Sequence, residues 1–231
     1  MTSIGGTWPR PALTSFVALG MMSATAWTAD LSRYRTFQLG TDLPSIARQV
    51  DSSPSQATVI HRRPALIQEL EWRPQPLGSS SQPEAAREVV FSFYNGELLQ
   101  IAISYDRYET EGMTTDDLIE AISATYGIAE KPTAAAAAVP GRYGDQEEIV
   151  ARWQDSQYCF DLVRASYGPS FRLIGVLKSL QAPLQAAIIE AKRLDDREAP
   201  QRDAARKADE KEAERDKLAK ARLVNKPKFR P

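Results

Sequence analysis

The sequence predicts an α+β fold: a two-layer arrangement of a mostly antiparallel sheet and two packed helices, followed by a long charged C-terminal helix. Three observations carry this. Asn95-Gly96 separates EVVFSFY from ELLQIAISYD, two runs of strand-forming residues, and two adjacent residues that tolerate positive φ are what a type I′ hairpin turn needs. TDLPSIARQV, from Thr41, and TTDDLIEAISATYG, from Thr114, each open on capping residues and then repeat apolar side chains at helical spacing. Beyond residue 200, large apolar residues become rare and charged ones dominate, the composition of a solvated helix. Helices of this kind laid on antiparallel strands make an α+β sandwich.

Residues 1–29 read as a signal peptide. One cation, Arg10, precedes the uncharged and largely apolar PALTSFVALGMM, and Ala24 and Ala26 stand where an A-x-A cleavage site needs small residues. A spanning helix takes about 20 apolar residues, more than this run offers, so no transmembrane segment is expected in the mature chain. A buried N-terminal helix is the competing reading, opposed by Gly5, Gly6, Pro9 and Pro11. No cysteine follows the run, which leaves nothing to acylate. The expected location is periplasmic or secreted.

Residues 30–180 form the expected globular domain. Tyr34-RTFQLG reads as a short strand ending at Gly40, and the helix after it presents Leu43, Ile46, Ala47 and Val50 on one face. ATVIHRR and ALIQELEWR are strands punctuated by Pro64 and Pro74. After a polar loop comes the Asn95-Gly96 hairpin. Val89, Phe91 and Phe93 lie on one face of its first strand, and Leu99, Ile101 and Ile103 share a face of the second. The second helix has Thr114 or Thr115 as cap, acids at its positive end, a stripe of Leu118, Ile119, Ile122 and Tyr126, and Gly127 as its stop. A connector near residues 130–145 leads to three more strands, IVARWQD, YCFDLVRA and FRLIGVLK. Gly40 and Gly112 are each followed by apolar residues at the same three offsets: Ile46, Ala47 and Val50, and Leu118, Ile119 and Ile122. This spacing suggests an internal repeat, with chance agreement between two amphipathic helices as the alternative.

Residues 181–231 form the charged extension. Its helix is expected to start at Pro183, to dock through Ile188, Ile189 and Leu194, and to kink or restart at Pro200. Asp203–Lys207 and Asp216–Lys220 have the acid-first i,i+4 order that supports a helix. No heptad of large apolar residues recurs, so the extension reads as a solvated helix or a partner-binding arm. The formal net charge of −1 hides a gradient, because from Gln201 onward eleven Lys and Arg face six Asp and Glu. No overall basic surface speaks for nucleic acid as a partner.

Catalytic signatures are largely absent. The sequence holds no GxSxG elbow, no phosphate-binding GxxxxGK[ST] loop, no HExxH and no GxGxxG. Its single cysteine, Cys159, allows neither an intrachain disulfide nor a CxxC zinc site, and in QYCFDLVRA it reads as a buried thiol. Neither a cofactor nor a metal is expected. The acids of DRYETEG lack the spacing of a calcium loop. The candidate binding residues are His61, Arg62 and Arg63, which form the most cationic strand end, the aromatics Tyr105 and Tyr108 beside and within DRYETEG, and Lys226, Lys228, Phe229 and Arg230 of the basic tail.

Gly112-MTTDDLIEAI, closing on Tyr126-Gly127 and leading into strands, resembles the helix-then-sheet units of BamE/SmpA-like envelope proteins. The resemblance implies a small non-enzymatic part of an outer-membrane assembly machinery, or an inhibitor-type binding protein. This chain departs from the lipoprotein members in lacking an acylated cysteine, and no functional residue carries over. The expected function is an exported, non-enzymatic envelope protein that binds another protein or a surface. The alternative is a small periplasmic hydrolase using carboxylates or Cys159.

Overall fold

The computed structural model describes residues 30–74, 85–133, 138–140, 146–165, 170–228 and 230. The signal peptide expected over residues 1–29 lies outside the described residues, as do Phe229 and most of the connector near 130–145. The fold is α+β. A two-stranded hairpin, β1 (Arg33–Tyr34) and β2 (Phe37–Gln38), precedes α1 (Leu43–Gln49). Then come β3 (Thr58–His61), β4 (Ile67–Trp72), β5 (Ala86–Tyr94) and β6 (Glu97–Tyr105). After α2 (Thr115–Tyr126) follow β7 (Ala138–Pro140), β8 (Gln146–Gln154), β9 (Tyr158–Arg164) and β10 (Phe171–Leu177), and α3 (Lys178–Asn225) closes the chain. The single strand expected at Tyr34–Gly40 is thus a hairpin, reversed where Arg35 adopts a φ of 55°.

The main sheet has the order β3-β4-β5-β6-β10-β9-β8-β7, with every neighbour antiparallel. Each half is therefore a helix followed by a four-strand meander, and the last strands of the two meanders pair at the centre. Moving 72 positions along the chain takes Gly40 to Gly112, Ile101 to Leu173 and Ile103 to Gly175. Ile101 pairs with Gly175 and Ile103 with Leu173, so each residue faces the other's counterpart, as a two-fold relation requires. Gly40 (φ 86°) and Gly112 (φ 81°) both take the left-handed region two residues before the helix caps Asp42 and Thr114. The spacing repeat seen in the sequence is a repeat of architecture.

Each helix starts where local chemistry favours it. The Asp42 carboxylate accepts the Ser45 amide at 2.9 Å. Thr114 and Asp117 close a capping box, in which each side chain accepts the other residue's backbone N–H. Both helices bury their apolar stripes on one face of the sheet, in a core built around Phe91, Phe93, Ile101, Ile103, Phe160, Leu162 and Leu173. Tyr126 stacks on Phe160 at 4.6 Å between centroids. The Trp153 indole donates to Gly127 O at 3.0 Å, which settles the one polar atom of that buried ring.

Two details differ from the periodic reading. A bulge between Ser92 and Phe93 shifts the hairpin register so that Leu98, not Leu99, joins the helix-side core with Ile101 and Ile103. Leu99 is buried on the opposite face, beneath α3. The α3 helix itself begins at Lys178, before Pro183, and runs unbroken through Pro200. Each proline removes one i→i−4 bond, but the carbonyls so released, on Ser179 and Asp196, belong to exposed residues that water can reach.

Candidate functional site

Two places carry chemistry: a cleft on the sheet face away from α1 and α2, and the length of α3. The helix lies on this second face through a stripe of Leu180, Leu184, Ala187, Ala191, Leu194 and Glu198 at alternating spacings of four and three. Ala187 and Ala191 are its buried members. The expected anchors Ile188 and Ile189 point elsewhere, and Ile189 is 68 % exposed. Small side chains let the helix backbone approach the sheet closely, a contact that larger isoleucines on this stripe would hold apart. At Glu198 the helix meets the β3–β4 turn, where the Arg63 guanidinium donates to Glu198 at 2.6 Å. That contact raises the Arg63 pKa, through the hydrogen bond first and the charge second, and lowers that of Glu198.

Beside α3 the sheet face opens into a cleft of about 470 Å³. Its floor is apolar, with Val90, Ala102, Val163 and Ile174, and its polar groups include Glu69, Gln100, Ser104, Asp161, Arg172 and Gln185. The charged groups at the β8–β9 side are already matched. Arg152 holds Asp161 in a two-pronged contact at 2.6 and 2.8 Å, which pushes the guanidinium pKa up through hydrogen bonding. Arg172 pairs with the buried carboxylate of Glu147, while its Nε is buried without a hydrogen-bond partner. Among the described residues no group of three or more His, Cys, Asp or Glu side chains is placed to hold a metal ion.

Cys159 lies at the edge of this region as a buried thiol. Burial, and then the neighbouring Asp161 charge, push its pKa up to about 11. A nucleophilic cysteine needs the opposite shift. The single histidine, His61, is the half-buried last residue of β3.

The structure scatters the remaining candidates. Arg62 is exposed beside the ion-paired Arg63. Tyr108 is 81 % exposed in the β6–α2 loop, but Tyr105 packs against the core, and burial raises its hydroxyl pKa. Of the acids of DRYETEG, Asp106 accepts the Tyr108 amide at 2.7 Å and so shapes its own loop. Lys226, Lys228 and Arg230 sit at the far end of α3, some 28 residues beyond Glu198 and thus ~40 Å from Arg63 along the helix axis. Sequence reasoning missed the Arg152–Asp161 and Arg172–Glu147 pairs. Their one sequence signal is charge inside strands otherwise made of core residues.

No helix among the described residues is long and apolar enough to cross a membrane. No protein-family model matches the chain, and neither a curated protein nor a solved structure matches it.

Proposed function

We propose that this chain is a non-enzymatic binding protein of the bacterial cell envelope, with an α+β body that displays α3 as an arm engaging another protein or an envelope surface. One observation carries the reading: from residue 199 through Lys228 every residue is exposed, so more than half of a 48-residue helix is open to solvent. A solvated helix of this length gains no stability from burial, and its use lies in what it meets. Two further features support the reading. The arginines and acids at the β8–β9 side of the cleft are tied to one another, and the one thiol is held in its protonated form. The export-type N-terminus and the resemblance to BamE/SmpA-like units supply the envelope.

The test is site-specific photocrosslinking in living cells, with the crosslinker at exposed positions of the arm such as Glu210 and Leu223 and, as a control, on the body at Gln49. Arm-specific adducts are the expected outcome. Adducts formed equally from the body, or none beyond the chain itself, would count against the reading.

A further inference from the structure

The arm divides into two electrostatically different parts. Up to Asp216 its charges are mixed and partly paired along the helix, with Arg202 on Asp195 at 3.0 Å and Arg206 on Asp203 at 3.1 Å. After Asp216 the sequence holds Lys217, Lys220, Arg222, Lys226, Lys228 and Arg230 and no acid at all. Among the described residues none of these six is paired with a carboxylate. An exposed helix end with this balance attracts polyanions in general.

The apolar residues interleaved with these cations narrow the choice. Leu218 is 63 % and Leu223 76 % exposed, and they flank a shallow depression with Ala219, Arg222, Lys226 and Pro227. Leu218, Arg222 and Lys226 follow one another at i,i+4, with Ala219 and Leu223 on the adjoining row. Large aliphatic side chains gain nothing against a phosphate backbone, which is held by charge alone. At a lipid headgroup boundary they find acyl chains, while lysine and arginine stems reach back to the phosphates. The cationic end therefore has both halves of an interfacial anchor: a charge that reads anionic headgroups and leucines that enter beneath them.

We propose that residues 217–228 dock the protein onto an anionic phospholipid bilayer, Leu218 and Leu223 entering the headgroup boundary on either side of the Arg222–Lys226 row, whose stems reach the phosphates. This rests on the reading of α3 as a binding arm and names what its end binds. The body is then carried at the other end of the same helix, ~40 Å along it from the tip.

The experiment is co-sedimentation of the full chain with vesicles of phosphatidylcholine alone or mixed with phosphatidylglycerol, beside the same chain carrying L218S/L223S or K217Q/K220Q/R222Q. The N-terminal apolar run is common to all three proteins, so differences among them report the arm. Binding to the anionic vesicles is expected to exceed binding to phosphatidylcholine by about tenfold and to weaken on raising salt. Each variant should lose about tenfold. Equal binding of parent and leucine variant, with the parent held as tightly by duplex DNA, would overturn the bilayer assignment in favour of a general polyanion site. Failure of the parent to respond to anionic lipid, with arm-specific protein crosslinks in cells, would overturn the bilayer assignment and leave the binding-arm reading standing. Failure of both measurements would remove both.

Discussion

Val89 with Ile103 in the first half of the sheet, and Phe160 with Gly175 in the second, occupy equivalent places and fill them in opposite ways. Each pair faces across its hairpin: Val89 opposite Ile103, and Phe160 opposite Gly175. In the first half the space is shared between two aliphatic side chains. In the second it goes to one aromatic ring, and a Cβ at Gly175 would come within 2.4 Å of the Phe160 ring. The ring needs the room because Tyr126 stacks on it, whereas the shorter α1 offers no aromatic partner at its end. Two copies of one framework thus hold the volume of the pair and vary how it is divided, the substitution that close-packed interiors tolerate best.

The same comparison extends to the second face of the sheet. By register Val90 corresponds to Asp161 and Gln100 to Arg172, since Phe91–Ile101 and Leu162–Leu173 are equivalent pairs. The first half is neutral where the second carries matched ions. On the helix side the halves agree in character, and on the α3 side they differ.

The largest effect should come from breaking the packing pair. Gly175→Ile is expected to cost about 3 kcal/mol by overpacking, and Phe160→Val about as much by the cavity it leaves. The double variant, which copies the first half's pair, should recover about 2 kcal/mol of the sum in a urea-denaturation cycle. Simple additivity would break the equivalence of the two pairs. Next comes Asp161→Val, which copies Val90 and strands the half-buried Arg152. A loss of about 2 kcal/mol is expected, falling within about 1 kcal/mol of the parent when Arg152→Leu is added. If the double variant were no better than the single, the ion pair would be contributing more than its own neutrality.

A smaller effect separates the two helix caps. Thr114→Ala should cost about 1 kcal/mol at neutral pH. The Thr114 amide and hydroxyl hold the Asp117 carboxyl below its ordinary value. Its stabilisation is therefore present above the usual aspartate range and disappears as pH falls through the lowered value. The parent should lose urea stability on acidification more steeply than Thr114→Ala, and parallel curves would show that the Thr114 hydroxyl contributes nothing there. The smallest disturbance is a probe of Cys159. With its pKa near 11, the folded thiol should react with a disulfide reagent at neutral pH far more slowly than the urea-unfolded chain. Equal rates would mean that this strand edge opens readily.

Much of this fold is legible in the sequence because its signals are local. Asn95-Gly96 adopts positive φ at both positions, Thr114 and Gly127 bound α2, and the strand runs become strands to within a few residues. What escaped the sequence depends on distant partners. A bulge at Ser92–Phe93 decides which leucine faces α1 and α2, and no single-strand alternation contains it. The α3 contact uses alanines because the sheet is near, so a search for the largest apolar residues picked Ile188 and Ile189 instead. The expected Asp203–Lys207 bridge gives way to Asp203–Arg206, since neighbouring turns of a solvated helix offer nearly equivalent partners. The site was less legible than the fold. Arg62, Arg63 and Lys226 look alike as cations, and only the path of α3 shows that one is bound to a helix and one lies at a far tip.

That path has a mechanical consequence. The helix is held to the body over about its first twenty residues and continues for ~40 Å of helix length beyond Glu198. Such a rod multiplies angles: a tilt of about 10° at the Ala187–Ala191 contact carries its tip, ~55 Å away, sideways by about 10 Å. Near Glu198 the contact narrows to Leu194 and one exposed ion pair, so the outer half of the helix is held only at its base. The body and the tip are thus coupled as the two ends of a lever, and a partner seated at either end would be felt at the other as displacement.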